Sequence, residues 1–316
     1  MAVVIRGTGN AVPMKKLPNE ALDPALETSD EWIRSHTGIG SRYVAAPDET
    51  TSLLGSMACK KALEHAKVPV KPDQIDLIIC ATATPDFHGF PSTACLIQTK
   101  LGAAKAAAFD VSAACSGFIY ALETAAGLLE RHGWKYALVC GAETLSRILD
   151  WNDRSTCVLF GDGAGAVLVE NTDYNQKEKG IGSVVLGADG TGGGELYIDE
   201  SNHIKMNGRA VYNFAVRVLS ETVETLMQKE WLTIDDVDLI VCHQANSRIL
   251  EAAAKRLKID PAKIVNNMED YGNTSAASIP ITLADLAAQG RLKEGMVIIS
   301  AGFGAGLTWG GCVIRW

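Results

Sequence analysis

No two of the eight cysteines are spaced C-x-x-C, which excludes the usual zinc-site and thioredoxin-like redox patterns. No apolar run is long enough to span a bilayer. The opening Met1-Ala2-Val3-Val4-Ile5-Arg6-Gly7 lacks the basic flank and apolar core of a signal peptide and reads as a strand. The expectation is a cytoplasmic protein without a membrane role, its thiols reduced. Positive charge is in deficit, with a net charge of −8, which argues against general nucleic-acid or anionic-membrane binding and leaves room for a local basic patch. Low-complexity tracts and coiled-coil heptads are also missing. Two glycine-rich segments, Gly161-Asp162-Gly163-Ala164-Gly165-Ala166 and Gly302-Phe303-Gly304-Ala305-Gly306, each run into a strand-like stretch. A phosphate loop needs a helix to follow it, so nucleotide-cofactor binding is excluded there, and close backbone approach explains the glycines.

What is present is a 316-residue chain, 47% hydrophobic, able to bury a large core. One cysteine stands out, in Phe109-Asp110-Val111-Ser112-Ala113-Ala114-Cys115-Ser116-Gly117-Phe118. It lies where a strand-like run from Ala106 to Val111 gives way to a helical run from Gly117 to Leu129. Asp110, Ser112 and Ser116 offer oxygens that can cap freed amides. A thiol at that point meets the positive end of a helix dipole and unpartnered N–H groups, both favouring the thiolate. A small buried hydrophobe is the bland alternative.

The chain repeats itself. Ile234-Asp235-Asp236-Val237-Asp238-Leu239-Ile240-Val241-Cys242 matches Asp73-Gln74-Ile75-Asp76-Leu77-Ile78-Ile79-Cys80 at an offset of 162, and each copy follows a long amphipathic helix, about 51–67 and 209–229. Gly295-Met296-Val297-Ile298-Ile299-Ser300-Ala301-Gly302 mirrors Tyr136-Ala137-Leu138-Val139-Cys140-Gly141-Ala142. Strands alternating with helices in each copy predict an α/β fold of two duplicated halves, 1–172 and 173–316, with mainly parallel sheets covered by helices. Gly187 to Gly194 between them reads as a flexible surface loop. The offset sets Cys115 and the Asn273 region at corresponding turns, and His243 ends the repeated strand of the second copy. Ligands of open α/β sheets gather at the carboxyl ends of strands, so the three residues are expected at one place.

His243-Gln244-Ala245-Asn246 and Tyr271-Gly272-Asn273-Thr274-Ser275-Ala276-Ala277-Ser278 would each, alone, fit a hydrogen-bonded core group or a capped helix start. Cys, His and Asn together supply a nucleophile and two hydrogen-bond donors, the set that covalent thioester chemistry needs.

These segments, with Thr28-Ser29-Asp30-Glu31-Trp32-Ile33, Phe160-Gly161-Asp162-Gly163-Ala164-Gly165-Ala166 and Phe303-Gly304-Ala305-Gly306-Leu307-Thr308-Trp309-Gly310, fall in one order over nearly the full length. In that order the chain resembles the β-ketoacyl-acyl-carrier-protein synthase III family, thiolase-fold condensing enzymes that start type II fatty-acid synthesis. The resemblance implies that Cys115 takes an acyl group from acyl-CoA, with backbone N–H groups of Cys115, Ala305 and Gly306 holding the oxyanion. It implies that His243 and Asn273 stabilise the enolate formed when malonyl-acyl carrier protein loses carbon dioxide. It further implies Trp32 and Arg154 around the CoA adenine, Phe90 and Phe303 at the acyl pocket, and Gln244, Arg248, Lys255 and Arg256 as a docking patch for the acidic carrier protein. A homodimer with neither metal nor redox cofactor belongs to the same expectation.

The chain departs from that pattern at His36 and Gly40, where relatives carry arginines, at Asn213 in place of a basic residue, at Ala305 within a glycine run, and in the longer Pro85-Asp86-Phe87-His88-Gly89 loop. A thiolase would want a second catalytic cysteine near the carboxyl end, and Cys312 lies inside the terminal strand. A hydroxymethylglutaryl-CoA synthase would want an added carboxylate base. A polyketide-type synthase with an unusual starter stays open. A Cys-His-Asn thioester hydrolase is disfavoured by the repeat, and a dead binding module by the intact trio.

Overall fold

The computed structural model describes residues 2–173, 175 and 178–316. In chain order the first half supplies β1 (Ala2–Ala11), β2 (Lys15–Pro18), α1 (Asp30–Thr37), β3 (Ser41–Val44), α2 (Thr51–Glu64), β4 (Leu77–Ala81), α3 (Thr93–Leu101), β5 (Ala107–Val111), α4 (Gly117–His132), β6 (Tyr136–Glu143) and β7 (Gly163–Thr172). The second supplies β8 (Gly180–Ala188), β9 (Leu196–Ile198), β10 (Ile204–Met206), α5 (Gly208–Glu230), β11 (Leu239–Cys242), α6 (Ser247–Leu257), α7 (Met268–Tyr271), α8 (Ser278–Ala288), β12 (Val297–Gly304) and β13 (Thr308–Arg315).

The repeat is visible in three dimensions. One sheet has the order β1-β7-β6-β4-β5 and the other β8-β13-β12-β11. A fifth strand of the second sheet is reduced to a bridge between Ile240 and Ile264. The matching aspartates do matching work: Asp76 accepts from the amides of Lys135 and Tyr136, and Asp238 accepts from that of Val297. Strands linked by helices pair in parallel (β4 with β5 and β6, β11 with β12). Strands that follow a glycine turn directly come back antiparallel, as β13 does on β12 and β7 on β6. Both sheets are therefore mixed.

Helices α4 and α8 form the layer between the sheets. Phe118, Ile119, Leu122 and Leu129 of α4 recur at helical spacing and pack with Ile279, Leu283 and Leu286 of α8 in one buried cluster. Each fully buried side chain of this size contributes about 1.5–3 kcal/mol. α2 and α3 cover the outer face of the first sheet, and α5 and α6 that of the second. The N-termini of α4 and α8 both begin in this middle layer, which brings the turns before them together. The Gly187–Gly194 stretch is not a loose loop: Asp189 and Leu307 exchange two backbone hydrogen bonds, and residues 190–195 wind into a 3-10 turn.

Candidate active site

Cys115 sits in a 3-10 turn, Ala114–Ser116, between β5 and α4. The backbone of Ala114 is left-handed, with φ 44°, a conformation that costs an L-residue about 1–2 kcal/mol. The hydroxyls of Ser116 and Thr308, 2.8 Å apart, bond to the carbonyls of Ala113 and Ala305 and hold the turn against β13. No side chain caps the α4 N-terminus. Asp110, expected there, instead caps α3, accepting from the amides of Thr93 and Ala94 at 2.7 Å.

The free amides do not make a resting thiolate. Cys115 is only 6% exposed; burial pushes its thiol up to about 12 and the Glu143 charge adds to this, against weaker opposite effects of Ser275 and the turn's own amide. Desolvation outweighs the helix terminus, and the group rests as a neutral thiol. Uncapped amides then act on charge that develops during reaction.

Gly304 closes one side of the nucleophile. A Cβ there would stand 2.7 Å from the Cys115 nitrogen and 2.9 Å from its Cβ. Gly304→Ala is expected to displace the turn and slow Cys115 acylation about 100-fold, measured as the rate of CoA release with circular dichroism unchanged. Ala305 lines a cavity with Cys115, whereas Gly306, at the hairpin tip, lines neither cavity that reaches the sulfur.

His243 ends β11 and is 1% exposed. Burial holds its ring down to about 3, so it is neutral at pH 7. Its Nδ1 lies 2.8 Å from the Ser278 hydroxyl, which is also 2.9 Å from the Ser275 carbonyl. That hydroxyl has one proton. Given to the Ser275 carbonyl, it makes Nδ1 the protonated nitrogen and leaves Nε2 an acceptor; turned to Nδ1, it makes Nε2 a donor. The Asn273 Oδ1 accepts from the Ser275 amide at 2.9 Å, leaving the Nδ2 protons to point elsewhere. Cys115, His243 and Asn273 line one channel of about 140 Å³, with Phe160, Val211, Tyr212, Asn246, Ile249, Phe303 and Gly304 also in its wall. A second cavity of about 250 Å³ opens on the other side of Cys115, lined by Leu145, Ile148, Phe160, Leu196, Ile198 and Ile204 with Ser275 and Ala305.

Of the two phenylalanines expected as pocket or gating residues near the cysteine, Phe303 shares a channel with it and Phe90 does not. Phe303 stacks edge-on against His243, ring centroids 5.2 Å apart, in the channel wall. Phe90 is 91% exposed and lines neither cavity, because α3 is anchored by Asp110 and Ser92 and the preceding loop projects outward. Trp32 and Arg154 do meet, the guanidinium 5.8 Å from the ring centroid, and His36 stacks on the same indole at 4.3 Å. Gly40 leaves room for the Arg34 guanidinium, which covers it at 2.4–2.6 Å from a would-be Cβ and pairs with Asp30 and Glu269.

Of the docking residues, Arg248 and Lys255 are exposed on α6, and Arg256 is shared with Glu221 at 3.7 Å. Gln244 is not a surface residue. It is 1% exposed, donates to the carbonyls of Cys242 and Val265 and accepts from the Asn267 amide, so it braces the turn behind His243. Glu143, Ser275 and Ser278, all polar and within the site, were not singled out from the sequence. Glu143 ends a buried strand as His243 does, and that signal was available.

Two family models match the chain, 3-oxoacyl-[acyl-carrier-protein] synthase III over residues 109–190 and the C-terminal part of the same family over 227–316. A β-ketoacyl-[acyl-carrier-protein] synthase III of Geobacillus kaustophilus is 50% identical over 316 residues, covering 100% of this chain and 99% of the relative. The crystal structure of 3-oxoacyl-[acyl-carrier-protein] synthase III from Aquifex aeolicus VF5 superposes with a TM-score of 0.95 at 44% identity, covering 99% of this chain and 100% of that one. The priming β-ketosynthase of the R1128 polyketide pathway follows at 36% identity and a TM-score of 0.92, covering 99% and 95%. With the motifs in order, the two-sheet fold matched along its whole length and Cys, His and Asn on one channel, the chain belongs to the β-ketoacyl-acyl-carrier-protein synthase III family.

Proposed function

We propose that this protein condenses an acyl-CoA starter with malonyl-acyl carrier protein through an acyl-Cys115 intermediate, the first carbon–carbon bond of a fatty acid. One observation carries the site assignment: Cys115 stands between a channel lined by His243 and Asn273 and an apolar cavity. The sulfur attacks the thioester carbonyl, the oxyanion is met by the amides of Cys115 and Ala305, and CoA leaves as its thiol. The acyl chain lies in the apolar cavity. The carrier protein's malonyl thioester then enters the channel and loses carbon dioxide; with the Ser278 hydroxyl turned to Nδ1, its enolate oxygen takes hydrogen bonds from His243 Nε2 and Asn273 Nδ2. Neutral donors suit this, since a protonated imidazole would protonate and so quench the enolate. The carbanion attacks acyl-Cys115 and frees the thiol. No metal or redox cofactor is called on.

The channel passes between the N-termini of α5 and α6, where Gly208, Tyr212, Asn246 and Ile249 line it. Arg248 lies beside that mouth, which supports α6 as the carrier-protein dock. Arg248→Glu with Lys255→Glu is expected to raise KM for malonyl-carrier protein about tenfold or more with kcat little changed, and the effect should shrink in high salt. The exposed Phe87 and Phe90 on one loop support a homodimer. Among the described residues no helix is long and apolar enough to cross a membrane. The reaction is tested by mixing acyl-CoA with malonyl-carrier protein. Equal amounts of CoA, carbon dioxide and 3-oxoacyl-carrier protein support it; free fatty acid without carbon dioxide would point to a hydrolase.

A further inference from the structure

Glu143 is fully buried at the end of β6 and, among the described residues, has no ion-pair partner. Its carboxylate accepts from the Thr84 hydroxyl at 2.7 Å, the Thr82 hydroxyl at 3.3 Å and the Ala83 amide at 3.0 Å. The Ser275–Ala277 turn packs against the end of β6, close enough that a Cβ on Gly141 would stand 2.1 Å from the Ala276 carbonyl oxygen. Ser275, Cys115 and Ala83 share the wall of the apolar cavity.

The repeat explains the arrangement. Ala114 and Ser275 are 161 residues apart, and both are left-handed, at φ 44° and 48°. β6 and β12 end at the same spacing, in Glu143 and Gly304. The turn that carries the nucleophile faces the glycine that ends β12 of the other half, and its amide is left to an oxyanion. The equivalent turn at Ser275 faces the carboxylate that ends β6 of the first half. A buried negative charge without a cation is costly to hold, and here it stands one hydroxyl away from the nucleophile.

We propose that Glu143 is a positioning residue that receives the Cys115 proton through the Ser275 hydroxyl. This rests on the condensing reading above. At rest the pair is thiol and carboxylate. As acyl-CoA is attacked, the S–H proton passes to Ser275 Oγ while the Ser275 proton passes to Glu143, a C–S bond forms and the CoA–S bond breaks. The CoA thiolate takes a proton from water, and Glu143 keeps its own through the life of the acyl-enzyme. When the malonyl carbanion displaces Cys115, the thiolate recovers that proton by the same route. One proton per cycle is consumed, the one on CoA.

The other groups near the pair fit this division. Burial raises Glu143 to about 7 but holds His243 down to about 3, so the carboxylate is the better proton acceptor. His243 reaches the same turn only through Ser278 and the Ser275 carbonyl. Among the described residues the Ser275 hydroxyl makes no hydrogen bond shorter than 3.5 Å, while its backbone bonds to Asn273 and Ser278, and catalytic contacts of this kind tighten on substrate binding.

The test is the pH dependence of Cys115 alkylation by iodoacetamide, read by mass spectrometry, alongside acylation by acyl-CoA. In the native enzyme alkylation is expected to rise with pH to a midpoint near 7, as Glu143 ionises, and then level off. Glu143→Gln keeps the shape and removes the acceptor: alkylation at pH 7 is expected to fall about 100-fold, the plateau to vanish, and Glu143→Asp to restore part of it. Ser275→Ala, with the carboxylate intact, is expected to do the same and decides the matter should Glu143→Gln unfold. A purely electrostatic role predicts the opposite sign, since removing a negative neighbour eases thiol ionisation. Faster alkylation in Glu143→Gln, or an unchanged profile in Ser275→Ala, would overturn the relay. A native enzyme that is alkylated normally yet never acylated would instead overturn the condensing reading.

Discussion

His243→Ala and Asn273→Ala should each slow condensation about 100- to 1000-fold while Cys115 still becomes acylated. The two side chains line the channel and are absent from the apolar cavity wall. On the proposed reaction they meet the malonyl thioester and not the starter chain. Each supplies one donor to an oxygen that becomes charged only as carbon dioxide leaves, and losing one such donor costs about 3–4 kcal/mol of transition-state stabilisation. Their orientation is fixed from behind, His243 by Ser278 and Asn273 by the Ser275 amide. Single-turnover experiments with preformed acyl-enzyme separate the steps. Equal loss in acylation and condensation would place these residues in the first step instead.

Cys115→Ala should abolish both half-reactions, with overall turnover reduced by at least about 10⁴-fold. The fold should hold, because the sulfur packs in a turn secured by the hydroxyls of Ser116 and Thr308 and by Gly304, none of which needs it. Removing a buried thiol of this size costs about 1–2 kcal/mol at most, a small fraction of a domain's stability. Residual acyl transfer in this variant, with a labelled acyl group on another of the seven remaining cysteines, would contradict the assignment. Each of the others except Cys95 is buried.

Much of this architecture is written in the chain's repetition. Asp76 and Asp238 recur with their strands because each pins the neighbouring strand's first amides, and the two turns before α4 and α8 meet because those helices form the shared middle layer. Sequence reasoning stopped where a side chain's fate depends on three-dimensional surroundings. Gln244 looked like a surface residue beside His243, yet its amide satisfies three buried backbone groups. For Cys115 the helix terminus that favours a thiolate is legible in the sequence, and the burial that decides for a thiol is not. Phe90 looked like a pocket residue because its loop's outward course depends on Asp110 capping α3. Glu143 is legible as a charged residue closing a buried strand, but nothing local in Gly141-Ala142-Glu143-Thr144 announces that the other half's turn lies against it.

The most direct measurement is intact mass with peptide mapping after mixing the protein with a panel of acyl-CoAs and no malonyl donor. A stable acyl adduct on the peptide carrying Cys115, lost in Cys115→Ala and discharged by malonyl-carrier protein to a 3-oxoacyl product, is the predicted result, and the acyl group retained best names the starter. CoA release with no adduct accumulating, or an adduct on any other residue, would contradict it.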